Sequence, residues 1–194
     1  MKLSKTSRLL TLTLIALTLF GLSSCQILRR GSGENQGWKY SLKKRKTHIS
    51  CLAEGGSQPV IKTLPLKVSE RSFDRLISSI DDLIGASYRP GGSDPGGFDC
   101  SGFVQYLYKK QFRMLLPHTA GEQAPLGSAI PENKQWPGDL VFFSIGGQRI
   151  DHVGIFIGKN RFAHAANSGI RIDNMADPYY RSHYATSSRI ITVD

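Results

Sequence analysis

Cys100 is the residue in this chain best placed to do chemistry. It lies in Tyr88-Arg-Pro-Gly-Gly-Ser-Asp-Pro-Gly-Gly-Phe-Asp-Cys100-Ser-Gly-Phe-Val-Gln-Tyr-Leu-Tyr108. Residues 90–97 are almost all Gly, Pro, Ser and Asp, so no regular element runs through them. From Phe103 onward, Phe103, Val104, Leu107 and Tyr108 recur at helical spacing, so a helix begins close to Cys100. Asp99 or Ser101 can cap it. A thiol at that junction sits at the positive end of the helix dipole beside unsatisfied N–H groups, and both favour the nucleophilic thiolate. A buried structural cysteine at a turn fits the same stretch.

A thiol that attacks a carbonyl needs a base, and the base needs a group to orient it. The histidines are His48, His118, His152, His164 and His183. His152 lies in Ile150-Asp-His-Val-Gly-Ile-Phe-Ile157, where alternation puts Val153, Ile155 and Ile157 on one face and His152, Gly154 and Phe156 on the other. Gly154 leaves room there for a substrate or a packed element. His164, in Arg161-Phe-Ala-His-Ala-Ala166, falls on the next strand. A tight turn at Lys159-Asn160 makes the two histidines cross-strand neighbours. A satisfied, half-buried His164 is the plainer alternative, and His48 and His183 read as surface residues. Zinc on Cys100, His152 and His164 lacks any short-spaced ligand pair, so no metal and no cofactor is expected.

The elements that must carry these residues are legible by period. Ser69 reads as an N-cap, with Glu70 in the first turn. Phe73, Leu76, Ile77, Ile80, Leu83 and Ile84 then form one apolar helix face that Gly85 ends. The Cys100 helix follows and ends near 111–114. From Asp139 the period becomes 2, giving strands over 140–145, 149–158, 161–166, 169–173 and 188–193, with a hairpin turn at Gly146-Gly147. Helices followed by a strand meander indicate α+β, with helices packed on an antiparallel sheet.

Upstream, Lys2, Lys5 and Arg8 precede the apolar run Leu9 to Leu22. That run is short for a membrane span and has the anatomy of an export signal. It ends in Leu22-Ser-Ser-Cys25, which resembles a bacterial lipobox. The resemblance implies lipid on Cys25 after removal of 1–24. Gln26, where some lipoproteins carry Asp, implies the outer membrane, facing the periplasm, in a two-membrane envelope; with a single membrane the same lipid implies its outer face. Residues 25–68, with the run Lys43-Lys-Arg-Lys46, read as a flexible basic tether in which Val60-Ile-Lys-Thr-Leu-Pro-Leu66 fits either a short strand or an extended segment leaning on the domain, and 69–194 as the folded domain. Removing 1–24 deletes three basic residues and no acid, which takes the net charge from +10 to +7. A basic exported protein suits anionic lipid or wall polymer rather than nucleic acid. Cys51 and Cys100 make no disulfide framework, and Cys51 has no role in this reading.

With these residues in place, the chain resembles the NlpC-type cysteine peptidase family of bacterial cell-wall hydrolases. The motifs are Tyr88-Arg-x-Gly-Gly with Gly97-Phe-Asp-Cys-Ser-Gly-Phe103, Leu116-Pro117 with Gln123, Pro137-Gly-Asp-Leu-Val-Phe-Phe143, Asp151-His-Val-Gly-Ile-Phe-Ile-Gly158 and Phe162-Ala-His-Ala165. The resemblance implies a papain-like fold, Cys100 as nucleophile, His152 as base and His164 as the polar third member. It implies Tyr88 near the oxyanion, and Asp99 and Ser101 as residues that help hold substrate. The implied substrate is peptidoglycan stem peptide, cut beside a D-amino acid at D-Glu–diaminopimelate or D-Ala–diaminopimelate, by a monomer. Thr119 stands where members that trim free muropeptides carry an Asp for the free amine, which points to intact wall. His118 stands where Arg is usual. A papain-like amidase or acyltransferase, or a non-catalytic wall-binding lipoprotein, are the competing expectations.

Overall fold

The computed structural model describes residues 44–53, 55 and 58–194. Helix α1, Glu70–Leu83, starts where Ser69 caps it, the Ser69 side chain accepting from the Ser72 N–H, and it buries Leu76 and Ile80. Helix α2, Cys100–Phe112, starts on Asp99, whose carboxylate accepts from the Gly102 N–H. Phe103, Val104, Leu107 and Tyr108 are fully buried, as their spacing predicts. Arg113, in the left-handed conformation (φ 59°), ends α2.

The main sheet has six strands. They are β6 (Ser128–Ala129), β7 (Leu140–Phe143), β8 (His152–Gly158), β9 (Arg161–Ala166), β10 (Gly169–Asn174) and β11 (Tyr184–Arg189). Their spatial order is β10-β9-β8-β7-β11-β6, antiparallel throughout. The fold class is α+β, as expected. Alternation sorts the side chains onto two faces. Leu140, Phe142, Val153, Ile155, Ala163 and Ala165 share a core with α1 and α2. Val141, Phe143, Phe156 and Phe162 pack on the other face with Met175 and Tyr180. Tyr180 arrives on α4, Pro178–His183, a helix not anticipated from the sequence although Asp177 caps it and Pro178 opens it. The strand expected over 188–193 divides: β11 joins the main sheet beside β7, and β12 (Ile191–Val193) pairs in parallel with β3 (Leu66–Val68). The turn expected at Gly146-Gly147 falls inside a longer connection between β7 and β8.

The tether expected over 25–68 is corrected at its C-terminal part. Strands β1 (His48–Leu52) and β2 (Pro59–Thr63) form a hairpin. Ile49, Cys51, Leu64 and Val68 enter the core that holds α1 and α2. The Arg45 guanidinium donates to the carbonyls of Ala124, Leu126 and Gly127. The alternation Ile49/Cys51 was present in the sequence but lay inside a polar, basic stretch, and β2 is exposed along its whole length. Cys51 is therefore a small core residue facing Met114, and it is a free thiol. The signal run and Cys25 lie outside the described residues.

Candidate active site

The glycine loop and the start of α2 are one hydrogen-bonded unit. Asp99 accepts from the Gly102 N–H (2.7 Å) and the Gly91 N–H (2.9 Å), and its own N–H donates to Gly92 O. The loop packs so closely that a Cβ on Gly102 would lie 1.9 Å from Gly92 O. The short strands β4 (Ser93–Asp94) and β5 (Gly97–Phe98) close the loop, with Arg89 paired to Asp94 at 2.7 Å. Asp99 thus holds the loop against the helix rather than standing free. Ser101 is buried, its hydroxyl 2.7 Å from His118 O and 3.0 Å from Asp99 Oδ1, so it also ties the helix start to the segment at His118. Tyr88 is half-buried, and burial, then the charges of Cys100 and Asp99, push its phenol up.

This unit aims Cys100 at the start of β8. Its Sγ lies 3.8 Å from Asp151 O, and the Val153 N–H hydrogen-bonds it. The backbone of the two residues flanking His152 thus faces the sulfur. The Asp151 side chain is turned away, accepting from the N–H groups of Ile145 and Gly146.

His152 Nε2 is 2.8 Å from His164 Nδ1, so the strand register does bring the two imidazoles together. His164 is 1% exposed and stacks on Phe162 with ring centroids 4.7 Å apart. Gly154 makes room for that ring, since a Cβ there would lie 2.6 Å from Phe162 Cδ2; the space expected for a substrate is filled. His164 Nε2 is 3.0 Å from Asp173 Oδ2. The Tyr180 hydroxyl donates to the same oxygen at 2.6 Å, and Arg171 Nε donates to Oδ1 at 2.9 Å. Asp173 and Tyr180 were missed in the sequence. Asp173 comes to the site through the strand register: Arg171 faces His164 across the β9–β10 pair, so Asp173 is its diagonal neighbour on the same face.

Residues 85–189 match the NlpC/P60 family. The chain belongs to that family. The Escherichia coli Murein DD-endopeptidase MepS/Murein LD-carboxypeptidase is 37% identical over 142 residues, covering 68% of this chain and 75% of that protein. The Escherichia coli Murein DD-endopeptidase MepH is 40% identical over 153 residues, covering 76% of this chain and 56% of its own length. An NlpC/P60 family crystal structure from Bacillus cereus superposes with a TM-score of 0.59 at 25% identity, covering 77% of this chain and 52% of that one.

As an NlpC/P60 protein the chain is a cysteine-type peptidase, and the electrostatics of its thiol and imidazoles bear on how such chemistry starts. Burial is the largest influence on Cys100 and pushes its thiol up to about 11; the N–H groups of Val153, Ser101 and Cys100 itself oppose this, and Asp99 adds to it. The helix terminus therefore acts as expected but does not prevail. Burial and the neighbouring His164 lower His152 to about 3, against Asp151 and Asp173. His164 is also lowered, chiefly by burial, so its contact with Asp173 is a hydrogen bond of a neutral ring rather than an ion pair. Burial thus favours the neutral form of both the Cys100 thiol and the His152 imidazole.

Proposed function

We propose that this chain is a lipid-anchored peptidoglycan endopeptidase with Cys100 as nucleophile, His152 as base and His164 as the orienting residue. One observation carries the assignment of roles: the Cys100 sulfur lies against the backbone on both sides of His152, and His152 is bonded to the buried His164. The thiol attacks the scissile carbonyl while His152 takes its proton, which suits a pair that rests neutral. The tetrahedral intermediate collapses as the C–N bond breaks and His152 returns the proton to the departing amine. Water, deprotonated by His152, then cleaves the thioester and regenerates the thiol. Tyr88, beside Cys100, is the side chain positioned to donate toward the oxyanion.

The substrate class comes from the relatives, two of which are named murein DD-endopeptidases. That chemistry favours the D-Ala–diaminopimelate cross-link over D-Glu–diaminopimelate. Thr119 supplies no charge for a free amine: its hydroxyl caps helix α3 (Ala120–Gln123) and lies 2.9 Å from Glu122. Asp94 is already paired with Arg89. Both favour stems still attached to the wall. The lipobox at Cys25 and the basic balance support an anchor on the outer membrane, with the enzyme facing the periplasm.

The test is digestion of purified sacculi by the chain and by Cys100→Ser, with fragments identified by mass spectrometry. Cross-linked dimers resolved to monomers by the unmodified chain only is the expected result. Release of fragments by Cys100→Ser at the same rate rejects the proposal, and a strong kcat/KM preference for free tetrapeptide over the same stem on a disaccharide rejects the specificity.

A further inference from the structure

The histidine pair does not end at His164. Asp173 and Tyr180 continue it across the far face of the sheet, and the direction of each bond in that series can be worked out from the atoms.

Asp173 is the fixed point. Its carboxylate accepts from Arg171 at Oδ1 and from Tyr180 at Oδ2. Burial alone would raise it, yet the hydrogen bonds from Tyr180, Arg171 and His164 hold it below the usual carboxylate range. An ionised carboxylate only accepts. The contact between His164 Nε2 and Asp173 Oδ2 at 3.0 Å therefore requires the proton on Nε2. The Tyr180 hydroxyl does not supply an alternative, because it is 2.6 Å from Asp173 and 3.4 Å from His164 Nε2, so its single proton goes to the carboxylate. A neutral His164 with a proton on Nε2 has a bare Nδ1. The 2.8 Å contact of that Nδ1 with His152 Nε2 then requires a proton on His152 Nε2. A neutral His152 so arranged has its lone pair on Nδ1. The opposite assignment would set a bare His164 Nε2 against a carboxylate oxygen, two lone pairs 3.0 Å apart.

We propose that Asp173 is a positioning residue that fixes the tautomers of both histidines through His164, so that His152 keeps its Nδ1 lone pair for the Cys100 proton. Tyr180 and Arg171 hold the carboxylate in place for that task. This rests on the cysteine-peptidase reading of Cys100 and His152 for its catalytic consequence, but not for the tautomers themselves. Neither Asp173 nor Tyr180 touches the sulfur in any contact of the site, so their effect is indirect.

The first test needs no substrate. Long-range proton–nitrogen correlation spectra of the full chain labelled with nitrogen-15 histidine, assigned with His152→Ala and His164→Ala, should show His164 and His152 each protonated at Nε2 and bare at Nδ1. A proton on His164 Nδ1 overturns the proposal. The second test compares two substitutions. In Asp173→Asn the introduced amide turns its oxygen to the cationic Arg171 and its NH2 to His164, which forces the proton onto His164 Nδ1 and reverses both rings. In Asp173→Ala the fixing group is simply lost. Asp173→Asn should therefore have the lower kcat, by about tenfold or more relative to Asp173→Ala, with KM little changed. A packing role predicts the reverse, since Asn is the better isostere, and kcat lower in Asp173→Ala overturns the proposal. Alkylation of Cys100 by iodoacetamide should follow the same order. If the unmodified chain fails to cut sacculi, the proposed function falls while the spectra still decide the tautomers.

Discussion

At the scale of the residue, the site is set by burial more than by formal charge. A half-buried thiol at a helix N-terminus would be expected to ionise readily, yet Cys100 is pushed up to about 11 because desolvation outweighs three N–H groups. In the proposed mechanism this places activation in proton transfer at the moment of attack. This orders the two histidines. His152→Ala removes the proton acceptor and should cost about 10²–10⁴-fold in kcat. His164→Ala leaves the acceptor and loosens it, so it should retain more activity than His152→Ala at equal enzyme concentration; the reverse order would exchange the roles. The same burial has a pH signature. Burial lowers His152 to about 3 in the fold, against 6.5 for a free imidazole. Between those values the unfolded chain binds the extra proton, so stability is complete above about 6.5 and falls as pH drops toward 3. Cys100 acts at the other end: the unfolded thiol ionises near 9.0 and the folded one near 11, so stability falls as pH rises across that window. Thermal unfolding across both windows should show the two slopes, with the acid one shallower in His152→Gln and the alkaline one shallower in Cys100→Ala.

At the scale of the element, the loop before α2 is as important as the helix. Gly102 is inside α2, where Ala would ordinarily stabilise by roughly 0.5–1 kcal/mol. Here the added methyl would strike Gly92 O, a backbone atom that cannot turn aside. Gly102→Ala should lower stability by about 1–3 kcal/mol and reduce kcat, because the displaced loop carries the Asp99 clamp that aims Cys100. A melting temperature equal to that of the unmodified chain would refute this. Much of this arrangement was legible in the sequence. The 3.6 period marks α1 and α2, and alternation gives β8 and β9 with His152 and His164 close enough to bond. Three features were not legible, for separable reasons. Strand β2 lies in a stretch that reads equally as a strand or an extended segment, because it is exposed along its whole length and leaves no alternation to decide between them. Helix α4 is six residues long, and a capping Asp with a Pro is a weak signal at that length. Asp173 acquires its partner only through the β9–β10 register, which depends on the turn between them. The N-terminal strands also yield a prediction. A chain beginning at Ser69 loses Ile49, Cys51, Leu64 and Val68 from the core, and the Arg45 bonds with them. At about 1.5–3 kcal/mol for each large apolar side chain, this is comparable with the whole stability of a small domain. Such a truncation should be insoluble or unfolded by circular dichroism, whereas a chain beginning at Lys44 keeps every one of these contacts and should melt cooperatively.

At the scale of the whole molecule, the question is how the enzyme is held to its substrate. The folded part begins earlier than 69, which leaves fewer residues between it and Cys25. From Cys25 to the Arg45 anchor there are about 20 residue steps, which at most span about 70 Å. Among the described residues no helix is long and apolar enough to cross a membrane. The lipid proposed for Cys25 and the attraction of a basic chain, net +7 if 1–24 are removed, to anionic surfaces are two separable means of retention. They differ in their response to salt. Electrostatic attachment between exposed charges weakens as the screening length falls from about 10 Å at 0.1 M to about 3 Å at 1 M salt. Burial of several acyl chains does not weaken in that way. The unmodified protein should therefore stay in the membrane fraction in 1 M salt. Cys25→Ser should leave it there, and any Cys25→Ser protein that pellets at low salt should be released as salt rises. Cys25→Ser remaining with membranes in high salt would show that lipid on this cysteine is not the anchor. In that case the outer-membrane placement, which rests on the same cysteine and on Gln26, would fall with it, while the peptidase site proposed at Cys100, His152 and His164 would be unaffected.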